Sequence, residues 1–448
     1  MLTTMHRFVH SARAGLGSSA LALALLAAAP TGAMLAATPA AAATPEYGTA
    51  AKALLASPKF AAARRSLDDG YDTILSRIVA LTEIESPPFG EEKRGKAFLE
   101  MLRAEGLADV ETDAVGNVMG LMKGTGGGKE LIVITAHLDT VFPAGTNVTV
   151  RREGDRMYAP GIGDDTAGLP VVLAFAHAMK AAGYKPRADI LFMGNVGEEG
   201  PGDLRGVRHL FTKGKYKDRI SAFISIEPGR AGRITDGGVG SRRYKVTFTG
   251  PGGHSLGDFG LVNPAYAMAN AIVAFARTTV PATPRTSYNV GIVEGGTSVN
   301  SIPFATAMTV DMRSVGKAEL DSLEKTFLAT LQPAVDKENA DRSTAKGAIR
   351  YEAKLIGDRP VGATPRTAPL VRYAAAMNEA MGFTPSYGPS STDSNMPMSL
   401  GIPAVTLGSG FQTFRGHSLE EGMVVDKAKD VESMAVSLGT LLLLSGAR

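Results

Sequence analysis

Apolar positions along the chain follow two rhythms. In the stretch from about Gly70 to Arg230, Tyr71, Ile74, Leu75, Ile78 and Leu81 recur at helical spacing. Three continuous apolar runs of strand length share that stretch: LIVITA at 131–136, ADILFMG at 188–194 and AFISI at 222–226. An Ala- and Leu-rich segment, 166–182, reads as a helix between the first two. Unbroken apolar strands alternating with helices predict an α/β layer whose mostly parallel sheet is covered on both faces.

The rhythm changes near Gly240. Tyr244, Val246 and Phe248 alternate with Lys245 and Thr247, as in a half-exposed strand. Asn263-Pro264 offers an N-cap and a first-turn proline to a helix whose apolar face is Ala265, Met268, Ala269, Ile272 and Val273. Strand-like runs follow at 288–293 and 305–313, then a helix from Lys317 to about Asn339, then a strand at 349–355. The order β-α-β-β-α-β predicts a ferredoxin-like domain. After Gly357 the α/β texture resumes, with a helix at 370–381, a strand at 404–407 and a closing helix from Asp426. The expected organisation is a leader, 1–43; a larger domain in two parts, 44–239 and 356–448; and a compact domain inserted into it, 240–355.

The leader has its own pattern. His6, Arg7, His10 and Arg13 form a basic start, and the run SALALALLAAA at 19–29 is too short for a span of about 20 residues. Pro30 and Gly32 end that run, and an A-x-A pattern precedes Thr44. The segment reads as a signal peptide cleaved near Ala43, which predicts a periplasmic or secreted protein; the alternative is an uncleaved amphipathic anchor. No later run is long and apolar enough to insert stably in a membrane. The formal charge of the whole chain is +3, too small to argue for nucleic acid. The chain has no cysteine, which excludes thiolate metal sites, thiol nucleophiles and disulfides, so any metal must be held by His, Asp and Glu.

Candidate chemistry clusters where the apolar runs end. His137 and Asp139 (HLDT) follow directly on 131–136, at the strand end where α/β sheets build sites. Asp164 and Asp165 sit among glycines in GIGDDTAG, ahead of a helix. They could cap that helix, but glycine on both sides also permits the close backbone approach that a bridging carboxylate needs. Glu198 and Glu199 (GEEG) follow the run at 188–194, and Glu227 (IEPG) follows 222–226. Paired glutamates are either a solvated acidic turn or a ligand beside a general base. His417 lies in a Gly- and Ser-containing loop. Two His, one Asp and two Glu can hold two divalent cations; nitrogen and carboxylate donors suit zinc, with cobalt or manganese possible.

Taken in order, HLDT, GDDTAG, GEEG, IEPG, GGHS, GGTSVNSIP and a late GHS resemble metallopeptidase family 20. That family includes carboxypeptidase G, peptidase T, acetylornithine deacetylase, succinyl-diaminopimelate desuccinylase and aminoacylase. The resemblance covers nearly all of the chain after the leader. It implies that His137 and Glu227 hold one zinc, that Glu199 and His417 hold the other, and that Asp164 bridges them. It further implies that Asp139 orients His137 and that Glu198 is the general base. It makes the larger domain catalytic and the insert a lid and dimerisation domain, with His254 reaching a neighbouring subunit's site in a homodimer to stabilise the oxyanion. Asn300, Arg313 and Arg359 would bind substrate. The implied reaction is attack of a metal-bridging hydroxide on the amide bond of a small peptide, most simply by an exported exopeptidase: a carboxypeptidase, dipeptidase or tripeptidase. An N-acyl-amino-acid deacylase is the near alternative, and an inactive periplasmic peptide-binding protein the distant one. Thr166 stands where the family often has lysine, which leaves the subfamily open. His177 and His209 match no motif and read as structural.

Overall fold

A computed structural model describes residues 45–448. The expected signal peptide, 1–43, lies outside the described residues. A nine-stranded sheet forms the centre, in the order Ala108–Thr112, Val118–Met122, Asp189–Asn195, Leu131–His137, Ile220–Glu227, Ala404–Gly408, Arg233–Gly238 and Gly362–Ala363. Ser386–Ser390 also pairs with Arg233–Gly238. Leu131–His137 runs parallel to both its neighbours, and Ile220–Glu227 is parallel to Ala404–Gly408. The strands Ala108–Thr112, Val118–Met122 and Gly362–Ala363 run antiparallel to their neighbours.

The unbroken apolar runs make physical sense in this setting. Every residue of Leu131–His137 and Asp189–Asn195 is buried. Their side chains divide with period two. Ile132, Ile134, Ile190 and Phe192 pack under helices Tyr71–Thr82, Gly168–Ala181, Pro369–Ala380 and Lys427–Leu444. Leu131, Val133, Leu191 and Met193 face the opposite layer, built on Leu204, Val207, Leu210 and Phe211 around helix Arg205–Thr212. Two apolar faces demand two helical layers, and the strand ends are left to carry polar groups.

A second sheet has the order Thr286–Gly295, Ala305–Ser314, Gly240–Thr249, Arg350–Arg359, all antiparallel. Helices Pro264–Phe275 and Lys317–Asp341 cover it. Val246, Phe248, Phe275, Val310, Met312 and Phe327 form a core separate from that of the large sheet. Asn263 caps the first helix by accepting the Ala265 N–H at 2.9 Å. The connectivity is that of a ferredoxin-like unit. One strand is longer than its apolar pattern suggests. Beyond an irregularity between Leu355 and Gly357, Asp358 and Arg359 still pair with Arg242 and Ser241, so the strand ends at Arg359 rather than Leu355. The helix expected at 166–182 is also modified: an irregular turn, Ile162–Thr166, with Asp164 and Asp165 in non-helical backbone, precedes helix Gly168–Ala181. Among the described residues no helix is long and apolar enough to cross a membrane.

Candidate metal centre

Strand ends bring the polar groups together. His137 is the last residue of its strand and is buried. Its Nδ1 lies 2.9 Å from the Asp139 backbone carbonyl, which can only accept, so Nδ1 carries a proton and Nε2 is turned to the carboxylates. Nε2 is 3.0 Å from Asp164 Oδ1 and 3.9 Å from Glu227 Oε2. The other Asp164 oxygen, Oδ2, is 3.2 Å from His417 Nε2, which in turn is 3.1 Å from Glu199 Oε1. Asp164 therefore has one imidazole on each oxygen. His137, Asp164 and Glu227 form one group whose ligand atoms lie within 4.8 Å of one another, and Asp164, Glu199 and His417 form another.

Several supports come from far along the chain. His417 sits in a hairpin between strands Gln412–Phe414 and Gly422–Val424, which joins Arg156–Tyr158 and Arg151–Glu153 in a small sheet. Glu421 of the same hairpin accepts the N–H of Gly163 at 2.8 Å and of Asp164 at 2.9 Å, fixing the aspartate turn. Glycine is required there: a Cβ on Gly163 would stand 2.8 Å from Thr413 Cγ2, and one on Gly168 would stand 2.5 Å from Asp165 Oδ1. Asp165 accepts the His137 N–H at 3.1 Å. Asp393, fully buried, takes Asn195 Nδ2 at 2.6 Å, and Asn195 Oδ1 accepts from Thr135 on the His137 strand.

Asp139 differs from its expected part. Its carboxylate accepts the N–H of Glu198 at 3.0 Å and of Glu199 at 2.8 Å. Oδ1 stays 3.7 Å from His137 Nδ1. The histidine is held by the Asp139 backbone instead, and the side chain shapes the paired-glutamate turn. Arg359 differs too. It is buried and donates from Nη1 to Glu198 Oε1 at 2.9 Å and to Ser391 Oγ at 3.0 Å. Arg313 lines the cavity as expected, with Nε on Asp311 Oδ2 at 2.7 Å; Asp311 also takes Arg243 Nε at 2.9 Å. His254 and Asn300 come together elsewhere, on an exposed corner of the second sheet unit. There His254 Nδ1 accepts the N–H of Leu256 and Gly257, and Asn300 O accepts the Ser255 N–H at 3.0 Å. Neither lines this chain's own cavity.

That cavity is about 710 Å³. Asp164, Glu198, Glu199, Glu227 and His417 are on its lining, together with five arginines, among them Arg233 and Arg313. Crowded carboxylates set its electrostatics. Burial pushes Glu198 up to about 8, with Arg359 opposing and Glu199 adding to the rise. Burial, then Asp165 and Asp164, hold Glu227 well above the usual carboxylate range against the pull of His137. Asp164 is driven down despite its burial, because His137 and His417 both bond it. Hydrogen bonds to Asp164 and Glu199 raise His417 to about 10. His137 also rises, since Asp139, Asp164 and Glu227 outweigh the burial that would lower it. Protons and imidazolium charge balance the carboxylates here, in places that divalent cations can take.

Sequence reasoning overlooked Glu421, Asp165, Asp393 and Asn195. Asp165 was visible as half of an adjacent pair. Glu421 was not, because its partners are backbone N–H groups more than 250 residues away. His177 lies on the surface against Glu105, and His209 is 4.0 Å from Asp113, both away from the centre.

Comparison with known proteins agrees with this arrangement. Residues 133–439 match the family described as Peptidase family M20/M25/M40. Carboxypeptidase G2 of Pseudomonas sp. (strain RS-16) is 28% identical over 215 residues, 47% of this chain and 50% of that protein, so the chain spans about half the length of that relative. Succinyl-diaminopimelate desuccinylase of Alkalilimnicola ehrlichii is 26% identical over 249 residues, 52% of this chain and 66% of that protein. Among solved structures, a tripeptidase from Staphylococcus aureus superposes with TM-score 0.66 at 21% identity, covering 82% of this chain and 97% of that one. A dinuclear metal-binding peptidase from Bacillus subtilis superposes with TM-score 0.58 at 16% identity, covering 84% and 98%. At these identities the superpositions show a shared fold.

Proposed function

The chain belongs to Peptidase family M20/M25/M40, and from that premise we propose that it is an exported di-metal exopeptidase acting on small peptides. One observation carries the reading: Asp164 stands between two histidines, with Glu227 on one side and Glu199 on the other. In this reading His137, Asp164 and Glu227 hold one cation, and Asp164, Glu199 and His417 the other. The donor set is imidazole and carboxylate throughout, and buried Glu227 Oε1 has no hydrogen-bond partner, which fits a cation-binding role. Zinc suits these donors best, with cobalt or manganese as substitutes. Such cations, when bound, polarise a carbonyl and lower the pKa of water.

The chain's own groups do the rest. Glu198 takes a proton from the attacking water and passes it to the leaving nitrogen. Asp139 holds the turn that carries Glu198 and Glu199. Arg313 reaches the cavity to hold a substrate carboxylate. His254 and Asn300, remote from this chain's cavity, would complete the site of a second copy in a homodimer, with His254 donating to the oxyanion. Export rests on the basic and apolar pattern of residues 1–43, and amino-terminal sequencing of the mature protein tests it.

The test of activity is a panel of dipeptides, tripeptides, end-blocked peptides and N-acyl amino acids, assayed with and without chelator. We expect chelator-sensitive cleavage of free-ended peptides. Preference for N-acyl amino acids would make the protein a deacylase. Glu198→Gln should retain metal and lose turnover by about 100-fold or more, the usual worth of a general base. No hydrolysis of any substrate by the metal-loaded protein would leave a peptide-binding protein instead.

A further inference from the structure

We propose that Arg359 is a positioning residue for Glu198 and not a clamp on substrate. The proposal rests on the reading of Glu198 as general base. The resemblance makes Arg359 a second substrate-binding arginine beside Arg313, but the two guanidiniums have different surroundings. Arg359 is 4% exposed. Nη1 is shared between Glu198 Oε1 and Ser391 Oγ, Nη2 donates to the Glu198 backbone carbonyl, and Nε is sealed from solvent. Both terminal nitrogens are already engaged, so the Nη1–Nη2 edge that grips a carboxylate is taken, and Nε, which has no partner, is closed off from solvent. The Arg313 side chain is 42% exposed, and among the described residues only its Nε is engaged, on Asp311. Arg313 can hold a substrate carboxylate with both its terminal nitrogens; Arg359, although on the cavity lining, cannot offer both of its own without releasing Glu198.

Glu198 is thereby fixed at three points. Asp139 accepts its N–H, and Arg359 holds its C=O and one carboxylate oxygen. One oxygen remains for the proton. A base that must meet a water at hydrogen-bond distance gains from this, because a shift of about 1 Å can cost about 100-fold in rate. The fastening extends beyond Arg359. Arg243 Nη1 donates to Gly200 O at 3.2 Å, Arg208 Nη2 donates to Asp358 O at 2.7 Å, and the Asp358 N–H donates to Asp203 Oδ1 at 2.9 Å. Arg359 pairs with Ser241 where the insert's strands begin and end. The 198–203 turn is thus tied to the root of the insert, with Arg359 making the contact to the base.

The experiment compares a free-carboxylate peptide with its carboxyl-amidated counterpart, using the metal-loaded full chain. Arg359→Met should lower kcat by about 100-fold on both substrates alike, with KM changed less than about threefold. Arg359→Lys, which can still donate to Glu198 Oε1, should recover part of the loss. Arg313→Met, the control, should raise KM on the free-carboxylate peptide alone. A rise in KM confined to that peptide in Arg359→Met, with kcat kept, would overturn the proposal. A structural readout separates it from the fate of the hydrolase reading. In a crystal structure of Arg359→Met, Glu198 should leave its wild-type rotamer while Glu199 stays, and in Arg359→Lys the rotamer should be kept; an unmoved Glu198 carboxylate in Arg359→Met sinks the proposal even if activity falls. If the wild type hydrolyses nothing, the function fails and this rotamer comparison still decides the role of Arg359. Should Arg359→Met not fold, Arg359→Gln carries both readouts.

Discussion

At the scale of the residue, the centre is a set of titrating groups displaced from their ordinary values: Glu198, Glu227, His137 and His417 rise, while Asp164 and Asp139 fall. Glu198 rises from 4.5 to about 8, chiefly through burial, and His417 from 6.5 to about 10 through bonds to Asp164 and Glu199. A raised folded-state pKa stabilises fully below the unfolded value and loses that contribution as pH climbs through the folded value. The Glu198 share therefore declines between pH 4.5 and 8, and the His417 share between 6.5 and 10. Chelator-treated protein should show a falling urea midpoint from pH 6.5 to 10, with the lower half of the decline removed in Glu198→Gln. A midpoint that is flat or rises over that range would contradict the assignment. Metal should bind more tightly as pH rises, because His137 and His417 must shed protons to ligate. Asp139 makes a separate case. Asp139→Ala removes the acceptor for two buried N–H groups and should cost about 10- to 100-fold in metal affinity or turnover, read by chelator competition. His137, Glu198, Glu199 and Glu227 were legible in sequence because each ends or follows an apolar run, Asp164 because glycines flank it, and His417 only through the late GHS of the family resemblance. Glu421, Asp393 and Asn195 were not, since their partners are distant in the chain and carry no local pattern. The part played by Asp139 was legible only in outline: an H-x-D spacing does not say that the backbone carbonyl meets the imidazole more closely than the carboxylate does.

At the scale of the element, legibility followed burial. Strands Leu131–His137 and Asp189–Asn195 are covered on both faces, so most positions are apolar and the run declared itself, with polar residues at Thr135 and the strand ends. Strand Arg350–Arg359 is an edge with exposed positions, and pairing across the Leu355/Gly357 irregularity, invisible in composition, carries it on to Arg359. That extension matters, because it delivers Arg359 to Glu198. Cap chemistry was readable directly. Asn263→Ala removes the bond to the Ala265 N–H and should destabilise the protein by about 1 kcal/mol, seen as a lower denaturant midpoint with no change in metal content. Close approach was harder to see. A Cβ on Gly408 would lie 2.3 Å from Gly229 O, so Gly408→Ala must push apart the Ala404–Gly408 strand and the turn after Glu227. We expect about 1–3 kcal/mol of destabilisation and weaker metal binding together, unlike the Asn263 change, because the displaced turn follows a ligand.

At the scale of the whole molecule, the second sheet unit has more apolar surface than its own core accounts for. Leu256, Phe259, Val299 and Phe304 are each more than 60% exposed, and all lie near His254 or Asn300 in sequence. Thr286–Gly295 is an edge strand with Ile292 and Val293 about half exposed. An open apolar edge is a hazard unless something pairs with it. A second copy would cover it and bring in His254, which this chain's own cavity does not use. The paired change Ile292→Lys with Val293→Lys should give a monomer by light scattering while leaving the two-metal content intact, since no ligand lies in the insert. Turnover should fall in that monomer to the level of His254→Ala in the wild-type assembly, and adding His254→Ala to the monomer should cost nothing more. A fully active monomer would show that His254 acts within its own chain or not at all; a dimer that persists would place the interface on another face.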